Sequence, residues 1–220
     1  MKLKFITNFG MLIFLMSIFH IIRLFDFSYE SEHPSLNEYS TEPDIHLNNV
    51  RHYYTKEADH NRSMYHLDQA IQSIKYLETD VDLNTSQIVD EAIEKLKYIY
   101  EEIKNDTLVN EDLNHAFEFA LTSLSLAELR VSERYAESNK LELSRVALKY
   151  SKLHLKHALE YSFNDSASHY EKHVYEQIDS LLANFEDAPV FITEKIDLMI
   201  DEMDSLLQLE RNQLTNLSIN

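Results

Sequence analysis

Glycine is almost absent from this chain: Gly10 is the only one, and none occurs in the 210 residues that follow it. Glycine reaches positive φ without strain and lets a backbone approach a ligand closely. Its absence excludes the glycine-rich loops that hold phosphates and dinucleotides, and the glycine-flanked turn that carries a nucleophilic serine. Two-residue β-hairpins, which favour Asn-Gly or Gly-X turns, are disfavoured for the same reason. The sequence therefore predicts an all-α fold.

Cysteine content and charge narrow the functional classes further. There is no cysteine, which removes disulfides, thiol catalysis, cysteine-zinc sites and iron–sulfur clusters. Residues 1–23 hold three basic residues and no acid, so the rest of the chain holds 17 basic against 38 acidic residues, a formal charge of −21. A surface of that sign repels phosphate backbones and anionic headgroups. We therefore expect no nucleic acid and no peripheral membrane binding. The acidic surface favours solubility, and the alternative is that it attracts cations or a basic partner.

The N-terminal segment has the pattern of an export or anchor signal. Lys2 and Lys4 precede an apolar run over residues 5–22, whose 18 residues would rise about 27 Å as a helix, near the thickness of bilayer hydrocarbon. The run ends at Arg23 without the small residues of a cleavage site. We interpret residues 1–23 as an uncleaved signal-anchor that leaves the C-terminal domain extracytoplasmic, with residues 5–22 as the only membrane contact. The alternative is a cleaved signal peptide and a secreted or periplasmic protein.

Residues 24–56 are polar and include Pro34 and Pro43. No helical or strand period persists in them, so the sequence predicts a stalk or linker here.

From residue 57 to residue 220 the pattern is helical and acidic. Polar clusters divide it into helices, and asparagine replaces glycine as the left-handed residue at three predicted helix ends: Asn105, Asn139 and Asn164. The third and fourth helices are apolar on more than one side and should lie in the centre. We predict a six-helix bundle of three antiparallel hairpins, with helices over 57–79, 86–104, 110–137, 141–163, 166–185 and 193–215.

Histidine spacing gives the candidate metal ligands. His169 and His173 are four residues apart, which places both imidazoles on one helix face, and Glu176 follows within reach. Zinc or copper accepts such ligands, although no third histidine is fixed by the spacing. The sequence therefore commits to no metal or cofactor and names these three residues as the candidates.

Other polar groups favour structural roles. His154 and His157 lie beside Tyr150 and Tyr161, and we expect a tyrosine-bonded pair at the edge of the core. Charged residues cluster on the third helix, where interhelical ion pairs that fix the packing register are expected rather than catalysis. A row of acids on the sixth helix is expected to be a solvated face, or at most a docking surface. The cluster comprises Glu128, Arg130, Glu133 and Arg134, and the row comprises Asp197, Asp201 and Asp204.

No nucleophile with its base and oxyanion donor can be identified, so we expect a protein that is not an enzyme. The sequence favours a tethered scaffold or adaptor that binds another envelope protein through an apolar or acidic groove between hairpins. The alternative is a histidine-containing bundle that binds a metal or ligand or responds to pH, since ten of the eleven histidines lie outside the N-terminal run. A homodimer is as compatible with the sequence as a monomer.

Overall fold

The computed structural model describes residues 38–77, 81–162, 165–185 and 189–217. Seven α-helices and no strand are present in this part of the chain, which confirms the all-α prediction. A 3₁₀ turn at Glu38–Thr41 precedes the first helix, and a π-helical turn at Tyr53–Glu57 follows it. The helices are α1 Glu42–His52, α2 His60–Leu77, α3 Leu83–Lys104, α4 Asn110–Glu137, α5 Leu141–Ala158, α6 Asp165–Ala183 and α7 Pro189–Leu217.

Helices α2 to α7 lie where the sequence predicts six helices. Without glycine, the left-handed positions are taken by Ala58, Asp106 and Asn139, at φ of 52°, 57° and 57°. Asn139 is the predicted residue. The prediction for Asn105 is wrong: Asn105 has a right-handed φ of −91°, and the left-handed residue at the end of α3 is the next one, Asp106. Asn164 lies outside the described residues.

Helix α4 supplies the largest part of the core. It contacts α1, α3, α5 and α7, and its buried side chains point to all sides. Phe117, Phe119, Leu121 and Leu124 are all at most 2% exposed. A helix that is apolar all round belongs in the interior of a bundle, as its sequence pattern predicts.

Two serine pairs define how α4 packs against α5. The hydroxyls of Ser125 and Ser151 are 2.8 Å apart, and those of Ser132 and Ser144 are 2.9 Å apart. The contact moves seven residues forward on α4 and seven back on α5, so the two helices run antiparallel. All four serines are buried, and their small side chains let the helices approach closely.

The predicted linker differs from the structure in its second half. Residues 42–52 form α1, whose Leu47 and Val50 are fully buried. Pro43 occupies the first turn of this helix, where proline is favoured because its missing N–H would have no partner there. The sequence pattern missed α1 because a buried carboxylate, Asp44, takes a place on its core face that an apolar residue would normally fill.

The predicted signal-anchor, residues 1–23, lies outside the described residues. Residues 24–37 of the predicted linker also lie outside them. Within the described residues, none of the helices combines the length and the apolar character needed to cross a bilayer.

Candidate functional site

A groove lies between α6 and α7. It has a volume of about 1020 Å³ and is open to solvent. Phe191 and Leu198 remain 43% and 59% exposed at its edge. We call this the α6/α7 groove; its lining consists of His173, Gln177, Ser180, Leu181, Ala183, Asn184, Phe191, Lys195, Leu198, Met199 and Glu202.

The helical period explains why apolar side chains form part of the lining of this groove. On α7, Ile192, Ile196 and Met203 are fully buried. Phe191 and Leu198 lie seven residues apart, so they share a different face of the helix and leave the core for the groove. Met199 is 1% exposed and joins that face to the core. The groove is therefore a second apolar stripe on a helix that has already buried its first.

Polar groups close one end of the groove. Nδ1 of His173 lies 2.7 Å from Oε1 of Glu202, and the side-chain amide of Gln177 donates to Oε2 of Glu202 at 3.0 Å. His173 is exposed, whereas the Glu202 side chain is 19% exposed. These contacts join α6 to α7 and place a carboxylate at one end of the groove.

The three candidate metal ligands do not share one partner. His173 contacts Glu202, while the ring of His169 packs edge-on against Tyr170, with ring centroids 6.2 Å apart. Both histidines and Glu176 are exposed on α6. In the described part of the chain, no group of three or more histidine, aspartate or glutamate side chains has the geometry to hold a metal ion. A zinc or copper site at these residues stays a prediction.

His154 and His157 are bonded to a carboxylate rather than to tyrosine, which corrects the sequence interpretation. Nδ1 of His154 lies 2.7 Å from Oδ2 of Asp44, and Nδ1 of His157 lies 2.6 Å from Oδ1 of the same side chain. His154 is fully buried and Asp44 is 5% exposed. We call these three residues the α1 anchor cluster, because they fasten α1 to α5.

Electrostatics inside the α1 anchor cluster favours charge on Asp44. Burial acts to raise the pKa of the Asp44 carboxyl, but the charge of His154 and hydrogen bonds with both histidines outweigh it and lower that pKa. The hydrogen bond to Asp44 in turn raises the pKa of His157. Asp44 and protonated His157 therefore stabilise each other as an ion pair.

Glu128 is buried beside this cluster. It is 3% exposed, and burial, followed by the charge of Asp44, raises its pKa well above its ordinary value. Its Oε2 atom has no hydrogen-bond partner among the described residues. Glu128 therefore favours its protonated form, which avoids a second negative charge beside Asp44.

Glu118 and Glu171 form a second buried acidic site between α4 and α6. The hydroxyl of Thr122 donates to Oε1 of Glu171 at 2.6 Å. Burial, with the charge of Glu118, raises the pKa of Glu171 to about 8 despite that hydrogen bond. Burial also raises the pKa of Glu118, against the opposing effects of a hydrogen bond with Ser162 and the charge of His115.

Arg130, one of the four charged residues of the α4 cluster, forms the interhelical ion pairs that the sequence predicts, whereas Glu128 of the same cluster is a buried acid beside Asp44. Arg130 contacts Glu133 at 3.5 Å, Asp82 at 3.6 Å and Asp204 at 3.1 Å, so it links α4 to the start of α3 and to α7. Burial, followed by the nearby Asp197, raises the pKa of Glu133 to about 7. Asp204 belongs to this network, so it is not part of a freely solvated acidic row.

Sequence reasoning missed Asp44, Glu118 and Glu171. The burial of Glu118 could have been predicted, because Glu118 lies between Phe117 and Phe119 on a helix that is apolar on all sides. The burial of Asp44 could not have been predicted, since Asp44 lies in a polar stretch without a helical or strand periodicity. None of these three acids lines the α6/α7 groove, so the groove and the buried acids are separate features.

No protein-family model matches this chain, and neither the curated proteins nor the solved structures contain a detectable relative.

Proposed function

We propose that this protein is a non-enzymatic interaction scaffold of the cell envelope, which binds an amphipathic helix of another envelope protein in the α6/α7 groove. The exposure of Phe191 and Leu198 on one groove wall carries this proposal. Exposed apolar side chains scattered singly need no explanation, but a gathered group bordered by polar residues is typical of an interaction site.

The length of the groove suits a helix. Its lining runs from His173 to Asn184 on one side and from Phe191 to Glu202 on the other. Each side covers about three helical turns, or about 16 Å. A helix bound in such a groove contacts it through apolar residues spaced at i, i+3 or i+4, and i+7. Phe191 and Leu198, which are seven positions apart on α7, have the same i, i+7 spacing.

The charge of the surface indicates the chemistry of the partner. Glu194 and Asp201 are exposed and flank Leu198 on the same face of α7. Glu202 closes one end of the groove, and residues 24–220 carry a formal charge of −21. Lys195 also lines the groove, with its Nζ atom 5.4 Å from the centre of the Phe191 ring, so the acidic groups lie on either side of Leu198 and at the Glu202 end. A partner helix with lysine or arginine beside its apolar stripe complements these acidic groups and associates faster because of them.

The proposed membrane topology places the α6/α7 groove where another envelope protein can reach it. Residues 1–23 act as the signal-anchor, or as a cleaved signal peptide in the alternative, and the bundle lies outside the cytoplasm. We also propose that α2 to α7 are arranged as three antiparallel hairpins, which the contacts of α2 with α3, α4 with α5, and α6 with α7 support. A second copy of this chain is the competing occupant of the groove.

A pH-responsive binding bundle is the second candidate. It is favoured by the ten histidines outside the N-terminal run and by the 2.7 Å contact that places one of them, His173, beside Glu202 at the end of the groove. This candidate predicts that the partner binds with different affinity at pH 8 and pH 5.5, whereas a plain scaffold shows no such difference.

Photo-crosslinking in the cells that produce the protein tests the proposal. A photoreactive residue replaces Phe191 in the full chain, and the matched control places it at Leu83, which is 76% exposed on α3. We expect one discrete adduct with a different protein from position 191 and none from position 83. Leu198→Asp should abolish the adduct without changing the melting temperature, because Leu198 is mostly exposed.

Three outcomes contradict the proposal: no adduct at position 191, the same adducts from both positions, or an adduct that survives Leu198→Asp. An adduct at twice the chain mass, lost in Leu198→Asp, identifies a second copy as the occupant and replaces the scaffold with a homodimer.

A further inference from the structure

His46 on α1 and His66 on α2 bring their imidazoles together. Their Nδ1 atoms are 3.0 Å apart, and the ring centroids are separated by 5.3 Å at an interplanar angle of 35°. Both side chains are half-buried, so one side of the pair faces solvent. Twenty residues separate them in sequence, which is why no spacing motif reveals the pair.

We propose that His46 and His66 form a bidentate site for a divalent late transition metal, with Cu²⁺ bound most tightly and water completing the coordination. Imidazole nitrogen is a preferred ligand of copper, nickel and zinc, and affinity for a given site rises to copper in this series. The site is independent of the α6/α7 groove, since it lies on different helices.

The separation of the two nitrogens fits this metal class. Two nitrogens bound at about 2.1 Å and at right angles to each other are about 3.0 Å apart, as in tetragonal copper or nickel complexes. A tetrahedral zinc ion would hold the same atoms about 3.4 Å apart. The observed 3.0 Å is the length of a hydrogen bond between the two rings, and a tetragonal ion can replace that bond with little change in the separation of the nitrogens.

The surroundings keep both rings available as ligands. Burial lowers the pKa of His46 and of His66, so both rings favour the neutral form, in which one ring donates its Nδ1–H to the other. The donating Nδ1 becomes a ligand once its proton moves to Nε2 of the same ring. The ring of Tyr53, from the π-helical turn, stacks on the ring of His66 with a centroid distance of 5.3 Å and an interplanar angle of 3°. Tyr65 packs against the edge of the same histidine ring. Glu42 on α1 is the charged group that acts on His46, and its negative charge favours a bound cation.

A bound metal would join α1 to α2 at the point where the chain enters the bundle. Because ligands that bind only the folded state stabilise it by mass action, metal should raise the melting temperature and strengthen the docking of α1.

The test uses the full chain without a polyhistidine tag, titrated with Cu²⁺, Ni²⁺ or Zn²⁺ alone. We expect one Cu²⁺ per chain, with electron paramagnetic resonance showing hyperfine coupling to two imidazole nitrogens. His46→Asn and His66→Asn keep a polar side chain but remove the ligand, and each should weaken Cu²⁺ binding at least tenfold. His169→Asn and His173→Asn are the matched controls and should change it less than twofold.

Unchanged Cu²⁺ affinity in the His46→Asn/His66→Asn double variant would overturn the proposal, and so would a spectrum without imidazole nitrogen coupling in the wild-type chain. Loss of binding in the His169→Asn or His173→Asn control alone would move the site to α6 and also overturn it. If one variant fails to fold, the other single variant and the wild-type spectrum together decide the matter, because coupling to two nitrogens needs both His46 and His66.

Discussion

Oδ2 of Asp44 lies 2.7 Å from Nδ1 of His154, although the two residues belong to the first and fifth helices of the described chain. The second carboxylate oxygen is bonded to His157. A short helix with only two fully buried aliphatic side chains, Leu47 and Val50, is thus held to the bundle by a buried charged group. The α1 anchor cluster therefore adds an electrostatic contact to the limited hydrophobic contact that holds α1 against the bundle.

Asp44→Asn should destabilise the protein by about 3 kcal/mol at pH 5.5, because it removes the charge from a buried ion pair and leaves the histidines without their anion. Amide hydrogen exchange over residues 42–52 should accelerate, since α1 is no longer anchored to α5. Urea unfolding and hydrogen exchange measure the two effects. Asp68→Asn, on the exposed face of α2, is the control and should change stability by less than about 0.5 kcal/mol.

The same variant has a defined pH dependence. The lowered pKa of Asp44 adds stability above its ordinary value of 3.8, and that stability is lost as the pH falls through the folded-state pKa. The raised pKa of His157 adds stability below 6.5 that is lost as the pH rises through the folded-state pKa. The difference between wild type and Asp44→Asn should therefore be greatest between about pH 4 and 6.5. A difference that grows toward pH 9 would contradict the assignment.

Glu171→Gln should flatten the alkaline part of the stability profile. The folded state holds the Glu171 proton up to a pKa of about 8 against an ordinary 4.5, so the wild-type protein loses stability as the pH rises between these values. Glutamine keeps the shape and the bond from Thr122 without a charge. We expect the variant to match wild type near pH 4.5 and to exceed it at pH 8.5 by about 5 kcal/mol.

The difference between the two proteins is the quantity to measure, because other groups titrate in the same range. Asp44 and the pair His46 and His66 contribute stability that is lost toward acid pH, with the opposite sign to Glu171. These contributions cancel when wild type and Glu171→Gln are compared at each pH. Parallel stability profiles for the two proteins would show that Glu171 titrates normally.

Ala58→Gly should stabilise the protein by about 1 kcal/mol, because Ala58 has a φ of 52°, where the β-carbon of alanine clashes with the backbone. Glycine removes the clash at some cost in unfolded-state entropy. Ala136→Gly, inside α4, is the control and should destabilise by about 1 kcal/mol. Thermal melts distinguish the two signs, and a loss of stability in both variants would exclude strain at position 58.

Much of the fold could be predicted because helical periodicity survives in strongly amphipathic segments. Ile88, Ala92 and Leu96 mark α3, and Ile192, Ile196 and Ile200 mark α7, each as one buried stripe. Helix α1 could not be predicted, since Asp44 interrupts its core face and only a partner on α5 makes the burial of that carboxylate favourable. A single sequence does not show which distant side chain supplies such a partner.

The sequence favours an apolar or acidic groove between hairpins, whereas the α6/α7 groove lies between two consecutive helices. Its place could not be predicted, because the exposure of Leu198 depends on how α6 and α7 are spaced. The pair His46 and His66 shows the same limit, since its 3.0 Å contact arises from the crossing of two helices. Local spacing instead pointed to His169 and His173, which share a face but not a partner.

The most direct test of the account is the affinity of the crosslinked partner's helix for the full chain, measured by calorimetry. Leu198→Asp places a charge in the groove and should weaken binding at least tenfold, whereas Leu83→Asp, an exposed substitution of the same kind on α3, should change it less than twofold. Raising the salt concentration should weaken binding to the wild-type chain, because a basic helix meets an acidic surface. Equal affinities for wild type and Leu198→Asp would contradict the assignment of the α6/α7 groove as the binding site.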